Sequence, residues 1–156
     1  MTTNKMMMNS YAKFGVMIGV STVIMYGLMF LNTYEASHIY FSETRAYMAL
    51  IMGATMAVIM LLSMMNMYPN KKANVGILIG SAIVFVLALW LVRSQKTVED
   101  VAWMKAMIPH HSIAILTSER ATLSEPRVRK LADGIIETQR REIDEMEMLI
   151  KNMEAK

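Results

Sequence analysis

The chain has 156 residues, of which 54% are hydrophobic and 19% charged, with a net charge of +3 at pH 7 and no cysteine. This balance is too apolar for a purely soluble domain, and the lack of cysteine excludes disulfides, thiolate metal sites and a cysteine nucleophile. Residues 1–92 hold five Lys/Arg and two Asp/Glu, whereas residues 93–156 hold eleven of each, so no basic face favours nucleic acid.

Three long segments without charge dominate the first part of the chain, at residues 14–31, 46–67 and 75–92. A bilayer core about 30 Å thick needs roughly 20 helical residues, and backbone polar groups in lipid must be satisfied within the helix. We therefore expect residues 1–92 to form three transmembrane helices. The first segment is longer than a secretory signal core and is expected to remain as an anchor.

The short connections between these segments predict the orientation of the chain. Lys5 and Lys13 precede the first segment, and Lys71 and Lys72 lie between the second and third. Because positive charge marks the cytoplasmic side, the loop between the first two segments and residues 93–156 are expected outside. The sequence thus predicts a multi-pass protein of the plasma (inner) membrane with an extracytoplasmic C-terminal domain.

Residues 93–156 show the 3.6-residue periodicity of two amphipathic helices. Thr97–Asp100 carries the signals of a first helix start, and Ser124 followed by Pro126 indicates a second. Two such helices must form an antiparallel hairpin, which cannot bury its apolar stripe alone. We expect it to lean on the membrane helices or to pair with a second copy. A homodimer that completes a four-helix bundle, or a higher homo-oligomer, is the favoured assembly.

Methionine and histidine share one face of the first of these helices. At about 100° per residue, Met104, Met107 and His111 fall within roughly 60° of one another, and His110 lies about 60° further round. Pro109 should kink the helix just before the two histidines. On the second helix, Met146 lies on the inward stripe and faces this set.

Thioether and imidazole without thiolate form a ligand set for Cu(I), and secondly for Ag(I). Thioethers carry no acidic proton and form no disulfides, which suits an oxidising outer compartment. Zinc prefers cysteine, histidine or carboxylate ligands. The alternative is that these methionines only fill the core, as methionine at helical spacing commonly does.

Residues 97–150 resemble the domain of unknown function 305 family, whose pattern runs from an acid and F/W-M through M-I-x-H-H to Q-x-x-E-I-x-x-M. The resemblance implies a ferritin-like helical bundle outside the cytoplasm, with copper or silver bound through Met and His in some members. It implies Met104, Met107, His110, His111 and Met146 as ligands. The matching residues are Asp100, Trp103-Met104, Met107-Ile108-Pro109-His110-His111, Leu131-Ala132, Ile136, Gln139, Glu142-Ile143 and Met146.

This chain departs from the family pattern in two ways. Many relatives carry Gln-Gly after the histidine pair and a methionine shortly afterwards, where this chain has Ser112-Ile113 and Thr117. Many soluble relatives also carry two hairpins, whereas this chain has one hairpin after three apolar segments. One ligand of the family pattern is therefore missing here.

Two further patterns have simpler explanations. Methionines recur every four residues in the second segment, but such a series turns about 160° around the helix over five members and cannot line one straight pore. Glu35 and His38 form a single E-x-x-H motif, whereas di-iron bundles need two. We expect His38 to be a loop residue near the outer surface, where it can contact the C-terminal domain. The methionine positions are Met48, Met52, Met56, Met60 and Met64.

These observations predict an all-α protein with three transmembrane helices followed by an extracytoplasmic antiparallel hairpin, a ferritin-like half-bundle. Its expected function is Cu(I) or Ag(I) binding at the outer face of the membrane for buffering, tolerance or hand-over to a copper-handling partner. The alternative is a structural or interaction subunit with methionine as packing. No nucleophilic constellation or organic cofactor motif occurs, so we expect no enzyme.

Overall fold

The computed structural model describes residues 2–155, with side chains from residue 10 onward, and within these residues all regular secondary structure is helical. Short 3₁₀ turns lie at Ala36–His38 and Met65–Met67. The predicted all-α class is confirmed. The α-helices are α1 (Thr2–Leu28), α2 (Glu43–Ser63), α3 (Lys71–Ser94), α4 (Asp100–Arg120) and α5 (Pro126–Glu154).

Three of the described helices are long and apolar enough to cross a membrane: Ser10–Leu28, Glu43–Ser63 and Lys71–Ser94. All three predicted segments are therefore confirmed as candidate spans. Their bounds shift from the predicted ones because helices α2 and α3 begin with charged residues, which the uncharged segments left out. At the other ends, α1 and α2 stop before the apolar run does.

The chain divides into two compact units, Met1–Leu28 with Thr44–Lys96, and Met29–Glu43 with Thr97–Lys156. The first unit contains the candidate spans and the second contains the hairpin. The second unit also includes residues 29–43, which the predicted division at residue 92 had grouped with the spans. The loop between α1 and α2 therefore forms part of the hairpin unit.

In the first unit, aromatic side chains and one amide join the helices at one end. Phe14 of α1 and Leu61 of α2 are buried in one cluster with Tyr68, which lies in the α2–α3 connection. The Tyr11 hydroxyl donates to Asn74 Oδ1 at 2.8 Å, and the Asn74 amide donates to the Tyr68 carbonyl at 2.7 Å. The buried amide of α3 is thus satisfied on both sides, as an apolar environment requires.

In the second unit, α4 and α5 pack antiparallel. The pairing order shows this, because Lys105 contacts Glu154 near one end, and Glu119 contacts Arg140 towards the other end of α4. Helix α5 begins at Pro126, where the sequence predicted a start, since proline tolerates the first helical turn. Helix α4 continues through Pro109, which is buried.

Gly53 permits a close approach between α1 and α2. It is buried, and a Cβ at this position would collide with Oγ1 of Thr22. That hydroxyl donates to the Ile18 carbonyl at 2.8 Å, which fixes its position. Small residues at such crossings let helix backbones pack closely.

The exchange Gly53→Ala should therefore lower the stability of the first unit, by about 1–3 kcal/mol for an overpacked contact. Thermal unfolding of the detergent-solubilised protein, followed by circular dichroism, measures the change. Thr22→Ala in the same chain should recover part of the loss. Gly80→Ala is the control, because nothing lies within 4 Å of a Cβ there. Equal effects at both glycines would contradict the close approach.

Candidate metal centre

The interior of the hairpin contains two of the predicted metal ligands. Met104 is 5% exposed and Met146 is 6% exposed, and both belong to one buried apolar cluster. Met107 is partly buried and packs against this cluster. The three methionines therefore lie in or beside a single apolar environment, where a thioether can pack and can also donate to a soft metal. The other buried members of the cluster are Ile108, Ile115, Ile143 and Ile150.

One flank of the hairpin is covered by residues 29–43. Ser112 of α4 is fully buried, and its Oγ accepts a hydrogen bond of 2.7 Å from the Tyr34 N–H. The same Oγ lies 3.0 Å from His38 Nδ1, so the expected contact of His38 with the C-terminal domain is present. Tyr34 and Tyr40 pack against the hairpin core. We call this surface the covered flank.

The opposite flank of the hairpin is exposed. Helical spacing places one row of each helix on it. His111 of α4 contacts Glu142 of α5 across this flank, and Trp103 and Leu149 line one shallow depression there. We call this surface the open flank. Its residues are Trp103, Met107, His110 and His111 of α4, and Leu131, Ile135, Glu142, Leu149 and Met153 of α5.

His111 has an unusual environment at the middle of the open flank. Its side chain is 13% exposed, and Nδ1 lies 3.2 Å from Glu142 Oε2. The contact does not meet hydrogen-bond geometry, and within residues 10–155 the buried Nδ1 has no hydrogen-bond partner. Leaving a buried polar nitrogen unpaired costs free energy, which a bound cation would offset.

Burial lowers the pKa of His111 below its usual 6.5, and the nearby His110 lowers it further, while the Glu142 carboxylate raises it in part. The net shift keeps the imidazole neutral at pH 7 with a lone pair available, which is the form that binds metal. His110 is exposed, and its ring centroid lies 6.0 Å from that of His111.

The structure thus places the five predicted ligands in two groups. Met104, Met107 and Met146 share the apolar cluster, and His110 and His111 are neighbours on the open flank, which Met107 also joins. Among residues 10–155, no group of three or more His, Asp or Glu comes together to hold a metal ion. A site at this position therefore depends on thioethers as well as imidazoles.

Ser112 is a functional residue that no motif or helical spacing in the sequence singles out. Its only signal was the departure from the family pattern directly after the histidine pair. Because Ser112 is fully buried against Tyr34, a longer side chain there would displace the loop from α4. Ser112, which follows the candidate ligand His111, therefore attaches the loop to α4 on the covered flank.

Replacing Glu142 tests the electrostatic description of His111. Glu142→Gln removes the charge that raises the pKa of His111, so this pKa should fall further below 6.5. NMR titration of the histidine ring protons in the metal-free, full-length protein measures it. Asp144→Asn, also on α5, is the matched control and should leave the value unchanged. A raised His111 pKa in Glu142→Gln would contradict the assignment.

The sign of the pH dependence follows from the lowered pKa. Well above pH 6.5 His111 is neutral whether the chain is folded or unfolded. As the pH falls below 6.5, the unfolded chain takes up this proton first, and the folded protein loses stability until the folded-state pKa is reached. Chemical unfolding across this range should show a smaller loss for His111→Gln than for the wild type.

Comparisons with known proteins match the hairpin, and one of them extends over a longer part of the chain. The family model described as "Domain of unknown function (DUF305)" matches residues 91–155, which include α4, α5 and all five candidate ligands. An uncharacterized protein of Acanthamoeba polyphaga mimivirus is 32% identical over 110 residues, which make up 67% of this chain and 68% of that protein. No solved structure matches the chain. The chain belongs to the DUF305 family.

Proposed function

We propose that this chain is a membrane-anchored protein whose hairpin binds Cu(I), or secondly Ag(I), at the outer face of the plasma membrane. In this proposal, the hairpin buffers the metal or hands it to a copper-handling partner. The metal is cargo, and the chain's own residues supply the donors and the orientation. The proposal includes no catalytic turnover.

The single observation that carries the proposal is the buried Nδ1 of His111, which has no hydrogen-bond partner among the described residues, on a flank where helical spacing also places Met107. A buried imidazole nitrogen held neutral by its surroundings is a ready donor. The neighbouring thioether is soft and cannot be protonated, so the pair favours a soft monovalent cation over Zn²⁺ or Mg²⁺. A chain without cysteine has no thiolate to compete for that cation.

The candidate ligands differ in exposure, which gives them an order of access. His110 is exposed, His111 and Met107 are partly buried, and Met104 and Met146 are buried. An ion arriving from solution meets His110 first. His111 and Met107 then offer a drier environment, in which water competes less well for the metal. Use of Met104 or Met146 would require a rearrangement of the apolar cluster.

The second candidate function is a structural or interaction subunit without metal. The observation that favours it is that Met104 and Met146 lie among isoleucines in the buried cluster, as packing methionines do. The two functions differ in what a change of methionine to leucine does. Leucine conserves volume and apolar character, so it preserves packing and removes only the donor atom.

A titration of the reduced, full-length protein with Cu(I) against a coloured chelator tests the proposal. The variant His111→Ala with Met107→Leu should lose affinity by at least the roughly 10- to 100-fold that loss of a supporting ligand partner costs. Met148→Leu on the exposed back of α5 is the control and should bind as the wild type does. Wild-type affinity in the double variant would show that His111 and Met107 are not the ligands, and no saturable binding by the wild type would favour the structural role.

The outer location of the hairpin can be tested separately, because the chain has no native cysteine. Single cysteines at Glu137 of α5 and at Lys72 of α3 give two reporter positions, both exposed. In intact cells, a membrane-impermeant maleimide should label Glu137→Cys and should reach Lys72→Cys only after permeabilisation. The opposite labelling pattern would show that the positive charges at Lys71 and Lys72 do not mark the cytoplasmic side.

A further inference from the structure

The open flank is apolar at both ends and polar in the middle. At one end, Trp103 is 50% exposed and lies beside Leu149 and Met153. At the other end, Leu131 is 65% exposed and lies beside Ile135. These side chains continue the amphipathic stripe beyond the hairpin's own core, and exposed apolar surface of this kind marks an interaction site.

The two apolar ends lie at similar distances from the His111–Glu142 contact. Trp103 precedes His111 by eight residues, or about 12 Å along α4. Ile135 and Leu131 precede Glu142 by seven and eleven residues, or about 10 and 16 Å along α5. The contact is therefore close to the midpoint of the open flank.

The two ends also carry opposite charges. Glu99 and Asp100 line the depression at the Trp103 end. Arg127 and Lys130 line the depression at the Leu131 end, where Arg127 also pairs with Glu125. A two-fold axis through the midpoint, perpendicular to the helices, would place the acidic end of one copy against the basic end of another. The open flank is thus self-complementary: its apolar ends would face each other across the axis, and so would its opposite charges.

We propose that the open flank binds a second copy of this chain across a two-fold axis at the His111–Glu142 contact. The two hairpins form an antiparallel four-helix bundle, and Trp103 of each copy packs against Leu131 of the other. An interface of this kind is isologous, because the same patch serves both copies. The covered flank of each copy remains occupied by its own loop.

The same axis brings the candidate ligands of two copies together, and this step rests on the proposed function. Met107, His110 and His111 all lie on the open flank near the axis. Each copy therefore supplies a thioether and two imidazoles to a site between the hairpins. A single hairpin presents only half of this donor set, so the shared site forms only when the partner copy is bound.

Cysteine cross-linking of the full-length protein in membrane vesicles tests the interface. The double variant Trp103→Cys with Leu131→Cys should give a covalent dimer with a short bis-maleimide in metal-free buffer. Within one hairpin the two positions lie near opposite ends and are too far apart to be linked. The matched control is Lys151→Cys with Asp133→Cys, one at each end of α5 on the other side of the helix. It should stay largely monomeric.

A charge reversal on exposed surface residues provides a second test. In the Trp103→Cys, Leu131→Cys chain, Lys130→Glu should reduce the yield of the cross-linked dimer several-fold. The new carboxylate would be repelled by the acidic end of the partner copy. Adding Glu99→Lys to the same chain should restore the yield. Restoration supports the two-fold arrangement, since within one hairpin these residues lie at opposite ends. Failure of Glu99→Lys to restore the yield would count against it.

Other outcomes would overturn the proposal. Equal cross-linking of the open-flank and control pairs would show random encounter. A covalent product of a different mass would show that another protein occupies the flank. The metal site is tested independently by the ratio of Cu(I) to chain, which should be one ion per two chains. Cross-linking without Cu(I) binding leaves the interface standing and rejects the proposed function, whereas Cu(I) binding at one ion per monomer rejects the shared site.

Discussion

Two packed helices can bury only one stripe on each other, and this constraint shapes the whole hairpin unit. Helices α4 and α5 bury Met104, Ile108 and Met146 between them and leave two flanks partly apolar. The chain covers one flank with the loop at residues 29–43, which is fastened through a serine hydroxyl. The other flank is exposed and carries the histidine pair. Within the described residues of this unit, the candidate site therefore lies on the flank that the loop does not cover.

Ser112 connects the covered flank with the candidate site. Its hydroxyl accepts from the Tyr34 N–H and meets His38, and it directly follows His111 along α4. Because successive residues of a helix point in different directions, Ser112 faces the loop and His111 faces the open flank. A rotation of α4 that moved the imidazole would break the contacts of the buried hydroxyl. The loop therefore holds the orientation of His111.

Elements that depend on local patterns could be predicted from the sequence, whereas contacts between distant residues could not. The three apolar segments and the start of α5 at Pro126 follow from hydropathy and from proline's conformational restriction, which are local. The burial of Met104 and Met146 follows from helical periodicity. The contacts of Ser112 join residues more than seventy positions apart, so no periodicity predicts them. The position of His111 Nδ1 beside Glu142 likewise depends on how α4 packs against α5, which helical periodicity does not define.

The methionines of this hairpin can serve both in packing and as proposed ligands, because they differ in burial. Met104 and Met146 stand among isoleucines, and their thioethers contribute to the apolar cluster without any metal. Met107 is only partly buried beside that cluster, and helical spacing places it on the same flank as His111. The side chain of Met107 is unbranched and polarizable, so it could adjust to a bound ion while the buried cluster beside it stays packed. For the proposed metal site, the position of Met107 therefore matters more than the number of methionines.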